Sequence, residues 1–178
     1  MRWLLGLLLL AACSSAPRES FYTLDAPEPP AAADGAPAIA VGPVSVPEIV
    51  DRPQIVVRLG ANQVQIVEQA RWAEPLRVAI ARVVAANLAS RLGARVVGSR
   101  NGEADYRIAL DVQRFESPAD AVLIEALWTV SGKGGRQSGR SVAREKVAGK
   151  EYRALAAAHS AALAAISKDI AAAIREQK

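Results

Sequence analysis

Three rhythms of apolar positions run along this chain, and each predicts a different kind of element. The first is an unbroken run from Trp3 to Leu10. The second has a period of about 3.6 residues. Leu76, Ile80, Val83, Val84, Leu88 and Leu92 form one stripe, with Arg77, Arg82 and Arg91 away from its centre. Pro75 suits a first turn and Gly93 a stop, so the spacing predicts a helix over 73–92. The same period returns at Leu155, His159, Leu163, Ile166, Ile170 and Ile174, broadened by flanking alanines. It predicts a second helix over 152–176, roughly 35 Å long at 1.5 Å per residue.

The third rhythm is alternation. Tyr106, Ile108, Leu110 and Val112 oppose Arg107, Ala109, Asp111 and Gln113, which marks a half-buried strand from Asp105 onward. Ser117-Pro118 breaks it, and Val122, Ile124, Ala126, Trp128 and Val130 resume it over 121–130. Gly132 to Arg140 then reads as a glycine-rich basic loop feeding a more polar strand over 141–148. Upstream, Ile39 to Pro47 is a strand with a bulge near Gly42-Pro43, placed at an edge or strand end because proline cannot donate to a ladder. Glu48 to Pro53 makes a turn, and 54–59 and 64–67 form a hairpin about 60–63. A brief strand is expected at 94–97. The fold class is α/β: a single domain with a mixed, mostly antiparallel sheet packed on two helices, its last three strands an antiparallel meander.

The amino terminus belongs to a different physical category. Met1-Arg2 supplies a positive start, Trp3 to Leu10 an apolar segment, and Ala11-Ala12 the small residues a signal peptidase requires. A spanning helix needs roughly 20 apolar residues, so this run is a signal peptide over 1–12 and not an anchor helix. Leu10-Ala11-Ala12-Cys13 resembles the bacterial lipobox, whose cysteine sulfur is nucleophilic enough to take a diacylglyceryl group as a stable thioether. Cys13 is then the first mature residue and the lipid-attachment site, carrying an N-acyl chain such as palmitate as well. Together these chains make anchoring effectively permanent, at about 0.8 kcal/mol per buried CH2. Ser14, standing where an inner-membrane retention signal places Asp, favours the outer membrane.

Residues 13–38 hold five of the ten prolines and read as an extended Pro/Ala-rich linker. Fully extended, it reaches about 80 Å. One apolar island, Phe21-Tyr22-Thr23-Leu24, has no use in a mere spacer and is expected to dock as a short strand at 21–24, at a sheet edge. The domain proper is 39–178. Cleavage removes Arg2 and lowers the formal charge from +4 to +3, too mild a balance to indicate nucleic acid. Cys13 is the sole cysteine, so the mature domain has no disulfide, cysteine metal site or cysteine nucleophile.

Candidate chemistry is sparse. His159, the one histidine, lies in line with core residues and has no triad-like company, so it is expected to be packed. Lys133, Arg136 and Arg140 offer a possible anion or partner contact, although the surrounding glycines lack the GxxxxGK[ST] order of a phosphate loop. Paired carboxylates and zinc spacings are absent. No metal or cofactor is expected beyond the covalent lipid, and the sequence gives no support to an enzyme.

Two stretches look specified without looking catalytic: Val46-Pro47-Glu48-Ile49-Val50-Asp51-Arg52-Pro53-Gln54-Ile55-Val56 and Trp72-Ala73-Glu74-Pro75-Leu76. With the lipobox and the Phe-Tyr-Thr-Leu island, in that order, they resemble the ABC-type transport auxiliary lipoprotein (PqiC-like) family over nearly the whole chain. The glycine-rich region and the last helix match only in general character. The resemblance implies a non-catalytic outer-membrane lipoprotein, facing the periplasm, that works with a mammalian-cell-entry (MCE) domain protein and its transporter complex in moving lipid between membranes. A homo-oligomer is plausible by analogy with MCE rings. No catalytic residue carries over; Asp51, Arg52, Pro53, Gln54, Trp72, Glu74 and Pro75 carry over as motif residues serving the fold or a partner contact. Two other readings fit the composition: a general envelope-assembly or stress lipoprotein binding another protein or lipopolysaccharide, and a direct lipid carrier.

Overall fold

The structure, a computed structural model, describes residues 18–99, 103–118 and 120–177; the signal peptide and Cys13 lie outside them. Both helical stripes fold as helices. α1 (Leu76–Leu92) ends at Gly93, whose φ of 61° is a left-handed turn open to glycine, and whose N–H donates to Ala89 O. It starts three residues later than the spacing predicts, because the backbones of Trp72 and Ala73 are engaged by neighbouring strands. α2 spans Tyr152–Glu176.

Eight strands accompany them: β1 (Ser20–Tyr22), β2 (Ala38–Ser45), β3 (Gln54–Gly60), β4 (Gln63–Trp72), β5 (Arg95–Val96), β6 (Tyr106–Glu116), β7 (Ala121–Gly132) and β8 (Gly135–Lys146). The alternation predicts one sheet, and the strands divide into two. A five-stranded sheet runs β5-β2-β6-β7-β8, and a three-stranded sheet runs β1-β4-β3. The division arises because β2 pairs in parallel with β6 and β5 across the α1 crossover, which leaves the β3–β4 hairpin to pair with β1. Arg58 N–H, donating to Ser117 O at 2.9 Å, ties the hairpin to the end of β6. The β6–β7–β8 meander is antiparallel, as expected.

α1 lies on β2, and α2 on β7 and β8. Between helices and sheet, Ile39, Ile80, Ile108, Ile124, Leu163 and Ile170 are fully buried. Pro43 lies beyond the point where β5 stops pairing with β2, so its missing N–H falls on an open edge, and the register slips between Val41 and Val44 around the cis Gly42-Pro43 bond.

The glycine-rich loop is not a loop. The turn is only Lys133-Gly134, and Gly135 already begins β8. Gly139 lies against the indole of Trp128, where a Cβ would overlap the ring, and Gly132 lies in the same way beneath Tyr106. These glycines admit aromatic rings onto the ladder, and their number hides a period-2 strand.

The linker expectation changes most. Ser20, Phe21 and Tyr22 pair with Ala70, Arg71 and Trp72, Leu24 is fully buried, and Arg71 holds Glu19 at 2.8 Å. The segment after Leu24 crosses the domain surface to β2 and adds nothing to the tether. From Cys13 to Ser20 there are seven residues, a reach of about 25 Å and not 80 Å.

Candidate functional site

Turn chemistry builds the first wall of a surface groove. Pro47 O accepts the N–H groups of Val50 and Asp51 at 3.0 and 3.2 Å, and buried Val50 pins that turn to the core. Asp51, Arg52 and Pro53 are thereby presented at the surface. The second wall is the junction from β4 into α1. Trp72 N–H donates to Pro53 O at 2.7 Å, and Ala73 N–H donates to Tyr22 O at 2.8 Å. The junction is therefore held on one side by the 51–54 segment and on the other by β1. All three signature segments downstream of the lipobox meet here, although they are separated by up to about fifty residues in sequence.

Between the walls is a groove of about 360 Å³, lined chiefly by Asp51, Arg52, Pro53, Trp72, Glu74 and Arg77. Arg77 bridges to Asp51 at 3.2 Å across it. Arg52 is half-buried, and its Nε has no partner among the described residues. Pro75 stands at the helix start with no side-chain cap and no acidic residue in the first turn, so the positive end of the α1 dipole adds to the two guanidiniums. Glu74, in the lining, pairs with Arg82, which also donates to Thr23 Oγ1 at 3.1 Å and to Leu24 O at 2.9 Å, clamping the end of β1 onto α1. Gln54 donates to Glu68 at 3.1 Å.

Beneath the groove is an aromatic cluster. Trp72 meets Phe115 and His159 edge-on at 6.2 and 6.1 Å, and Phe115 stacks on His159 at 4.0 Å. His159 is fully buried, and its Nε2 hydrogen-bonds Ser117 Oγ at 2.9 Å. Burial lowers its pKa from 6.5 to about 3, so it is neutral at physiological pH. The groove lining contains no Ser, Cys or His. The site can grip a chain carrying both apolar and charged groups, and its two carboxylates, Asp51 and Glu74, are each paired with an arginine.

Lys133, Arg136 and Arg140 do not converge. Lys133 in the turn pairs with Asp105 at 3.6 Å, Arg140 in β8 pairs with Glu125 at 2.8 Å, and Arg136 lies opposite Ser131. Arg140 donates a hydrogen bond that holds the Glu125 carboxyl below its usual range. Asp105 is lowered first by the N–H of Ala38 and then by Lys133. Four strand steps separate Arg136 from Arg140, roughly 13 Å, too far for one phosphate. Among the described residues no group of three or more His, Cys, Asp or Glu side chains could hold a metal ion, and no helix is long and apolar enough to cross a membrane.

Sequence reasoning missed Arg82 as a clamp, because its partners at Thr23 and Leu24 are brought to it by β1 docking. It also missed that Phe115 joins the cluster, since a register slip between Val112 and Arg114 turns it inward against the simple alternation.

Among curated proteins, none matches this chain in sequence. Two solved structures share the fold. One is the crystal structure of an uncharacterized protein, 23% identical, with a TM-score of 0.75, covering 88% of this chain and 99% of its own. The other is protein XCC0632 from Xanthomonas campestris, 25% identical, with a TM-score of 0.67, covering 89% and 100%. The family model described as ABC-type transport auxiliary lipoprotein component matches residues 22–171, from the docked island to the last turns of α2, and the chain belongs to that family.

Proposed function

We propose that this protein is a non-catalytic docking component of an MCE-type intermembrane lipid transport system, anchored through an acylated Cys13 to the periplasmic face of the outer membrane. The observation that carries the reading is that the 51–53 and 72–76 segments line one open groove, with the 21–24 segment bonded to its second wall through Ala73 N–H and Tyr22 O. Segments spent only on folding would be buried, whereas Asp51, Pro53 and Arg77 are exposed there. The guanidiniums of Arg52 and Arg77, set among Pro53 and Trp72, suit an acidic, partly apolar polypeptide segment of the partner. Direct lipid carriage has less support: the helix–sheet interface is filled by fully buried Ala162, Leu163, Ile170 and Ala171, and a hollow of about 700 Å³ lies instead on the outer face of the large sheet, lined there by Ala109, Leu127 and Arg140. Arg136 and Arg140, strung along edge strand β8, are a secondary contact in this picture.

The test is co-purification of the acylated protein with MCE-domain proteins of the same envelope, in membranes and in detergent. Association is expected for the wild type, weakened about tenfold or more when Arg52→Glu and Arg77→Glu leave the groove with acidic side chains only. Failure of the wild type to associate with any MCE-domain protein overturns the reading. Association indifferent to the double reversal moves the docking surface away from the groove.

A further inference from the structure

We propose that the tip of the β3–β4 hairpin is a second membrane contact, resting on the phospholipid surface beside the acylated amino terminus. This rests on the anchoring of Cys13 proposed above. The first argument is direction. β1 lies parallel to β4 with Ser20 beside Ala70, so the chain preceding Ser20 leaves the domain toward the beginning of β4, which is the hairpin tip. The Glu19–Arg71 ion pair holds the departing chain to that course. The second is length. Cys13 precedes Ser20 by seven residues, and Gln63 precedes Ala70 by seven, each step covering about 3.3 Å. An anchor at Cys13 therefore keeps the hairpin end of the domain within about 25 Å of the bilayer, and an extended tether reaches the level of the tip itself.

The third argument is the chemistry of the tip. Leu59 is 57% exposed, Val64 37% and Ile66 36%. Leu59 is on one face of the hairpin, while Val64 and Ile66 are on the other, opposite Arg58 and Val56. A hairpin that merely covers a core is apolar on one face only. The turn Gly60-Ala61-Asn62-Gln63 carries no charge, and Arg58 is the sole charged residue between Pro53 and Glu68. Arg58 is spent internally, on Ala61 O at 3.0 Å and on Glu116 at 3.1 Å. The tip thus brings apolar side chains and no uncompensated charge, which suits an interface where burying an unpaired ion is costly. The opposite hairpin, β7–β8, turns through Lys133-Gly134 and has none of this character.

In the mature acylated chain the Cys13 sulfur is a thioether, so Leu59→Cys introduces a single thiol for an environment-sensitive dye. Lys133→Cys in the β7–β8 turn, at the far end of the large sheet, serves as the control. The labelled full chains are reconstituted into phosphatidylethanolamine–phosphatidylglycerol vesicles containing lipid with a nitroxide near the headgroup. The expected result is about twofold quenching at position 59, the depth of roughly 5–10 Å at which interfacial apolar groups sit, with position 133 unaffected. If the acylated protein floats with the vesicles while the probe at 59 stays in water, the tip is a protein-contact surface and the proposal is overturned with the anchor intact. If the wild-type chain itself takes the dye at Cys13, the anchor is absent, and the ground for the tip contact falls with it.

Discussion

The two sheets are built from the same alternation of apolar and polar residues, yet they end in different physical states. The five-stranded sheet is covered on its inner face by both helices, and on its outer face Arg140 pairs with Glu125 and Ser45 donates to Asp111 at 2.6 Å, beside exposed Leu127 and Val142. The three-stranded sheet is left incomplete. Ile55, Val67, Ala70 and Trp72 face the core, while Phe21, Val64 and Ile66 remain exposed on the other side. The segments that carry the family resemblance lie in or against this smaller sheet. The large sheet and α2 supply stability by generic packing, and the specified residues gather where the molecule leaves surface uncovered.

The sharpest way to break that contrast is to make the same apolar truncation in both regions. Ile170→Ala, at a fully buried site under the large sheet, is expected to cost about 2–5 kcal/mol in urea unfolding. Ile66→Ala on the small sheet should stay within about 0.5 kcal/mol. Equal losses would mean that the outer face of the small sheet contributes as much to stability as the core beneath the large one.

Next in size is a pH effect at the boundary between the sheets. His159 has a folded pKa of about 3 against 6.5 when unfolded, so the unfolded chain binds the extra proton between those values and stability falls as pH is lowered. The loss is about 1.4 kcal/mol per pH unit, or about 2 kcal/mol from pH 6.5 to 5. Glu116, lowered chiefly by the Arg114 hydrogen bond, and Glu125, lowered chiefly by that of Arg140, lose their contributions as pH falls from their ordinary value of 4.5 toward the lowered ones. Chemical unfolding across pH 5–7 should therefore isolate the histidine, and His159→Phe should flatten the slope. A slope that survives this change would assign it to other groups.

The smallest expected effect is local. Arg82→Ala removes the clamp on Thr23 and Leu24, with a global loss of about 1 kcal/mol or less, given the partial exposure of the pair. Amide exchange at Tyr22–Leu24 should accelerate well beyond that at β7. Uniform acceleration would show that β1 opens only with the whole domain.

Much of this architecture was legible in the residues themselves. α2 needed nothing but its stripe, because a helix is specified by neighbours within the same turn or two. β6 and β7 were equally plain, having one face fully buried. What escaped was non-local or masked. β4 reads as ending near Val67 because Glu68 and Gln69 interrupt its alternation where the register slips before Arg71. The split into two sheets depends on which strand β1 selects, and that choice leaves no trace in periodicity. β8 was hidden by its glycines, of which Gly139 has its purpose, admitting Trp128, on the neighbouring strand β7. In the groove, the motif residues could be named from sequence, but their meeting could not, since the backbone bonds from Trp72 to Pro53 and from Ala73 to Tyr22 join segments distant along the chain.

The parallel docking of β1 has a mechanical meaning. Drag on a domain leashed at its amino terminus is delivered along the axis of β1, so the hydrogen bonds to Ala70, Arg71 and Trp72 are loaded together in shear instead of being unzipped one at a time. Leu24 and the Arg82 clamp stand immediately behind them as a stop. These three residue pairs form a strain relief between a lipid leash and the groove proposed as the docking site.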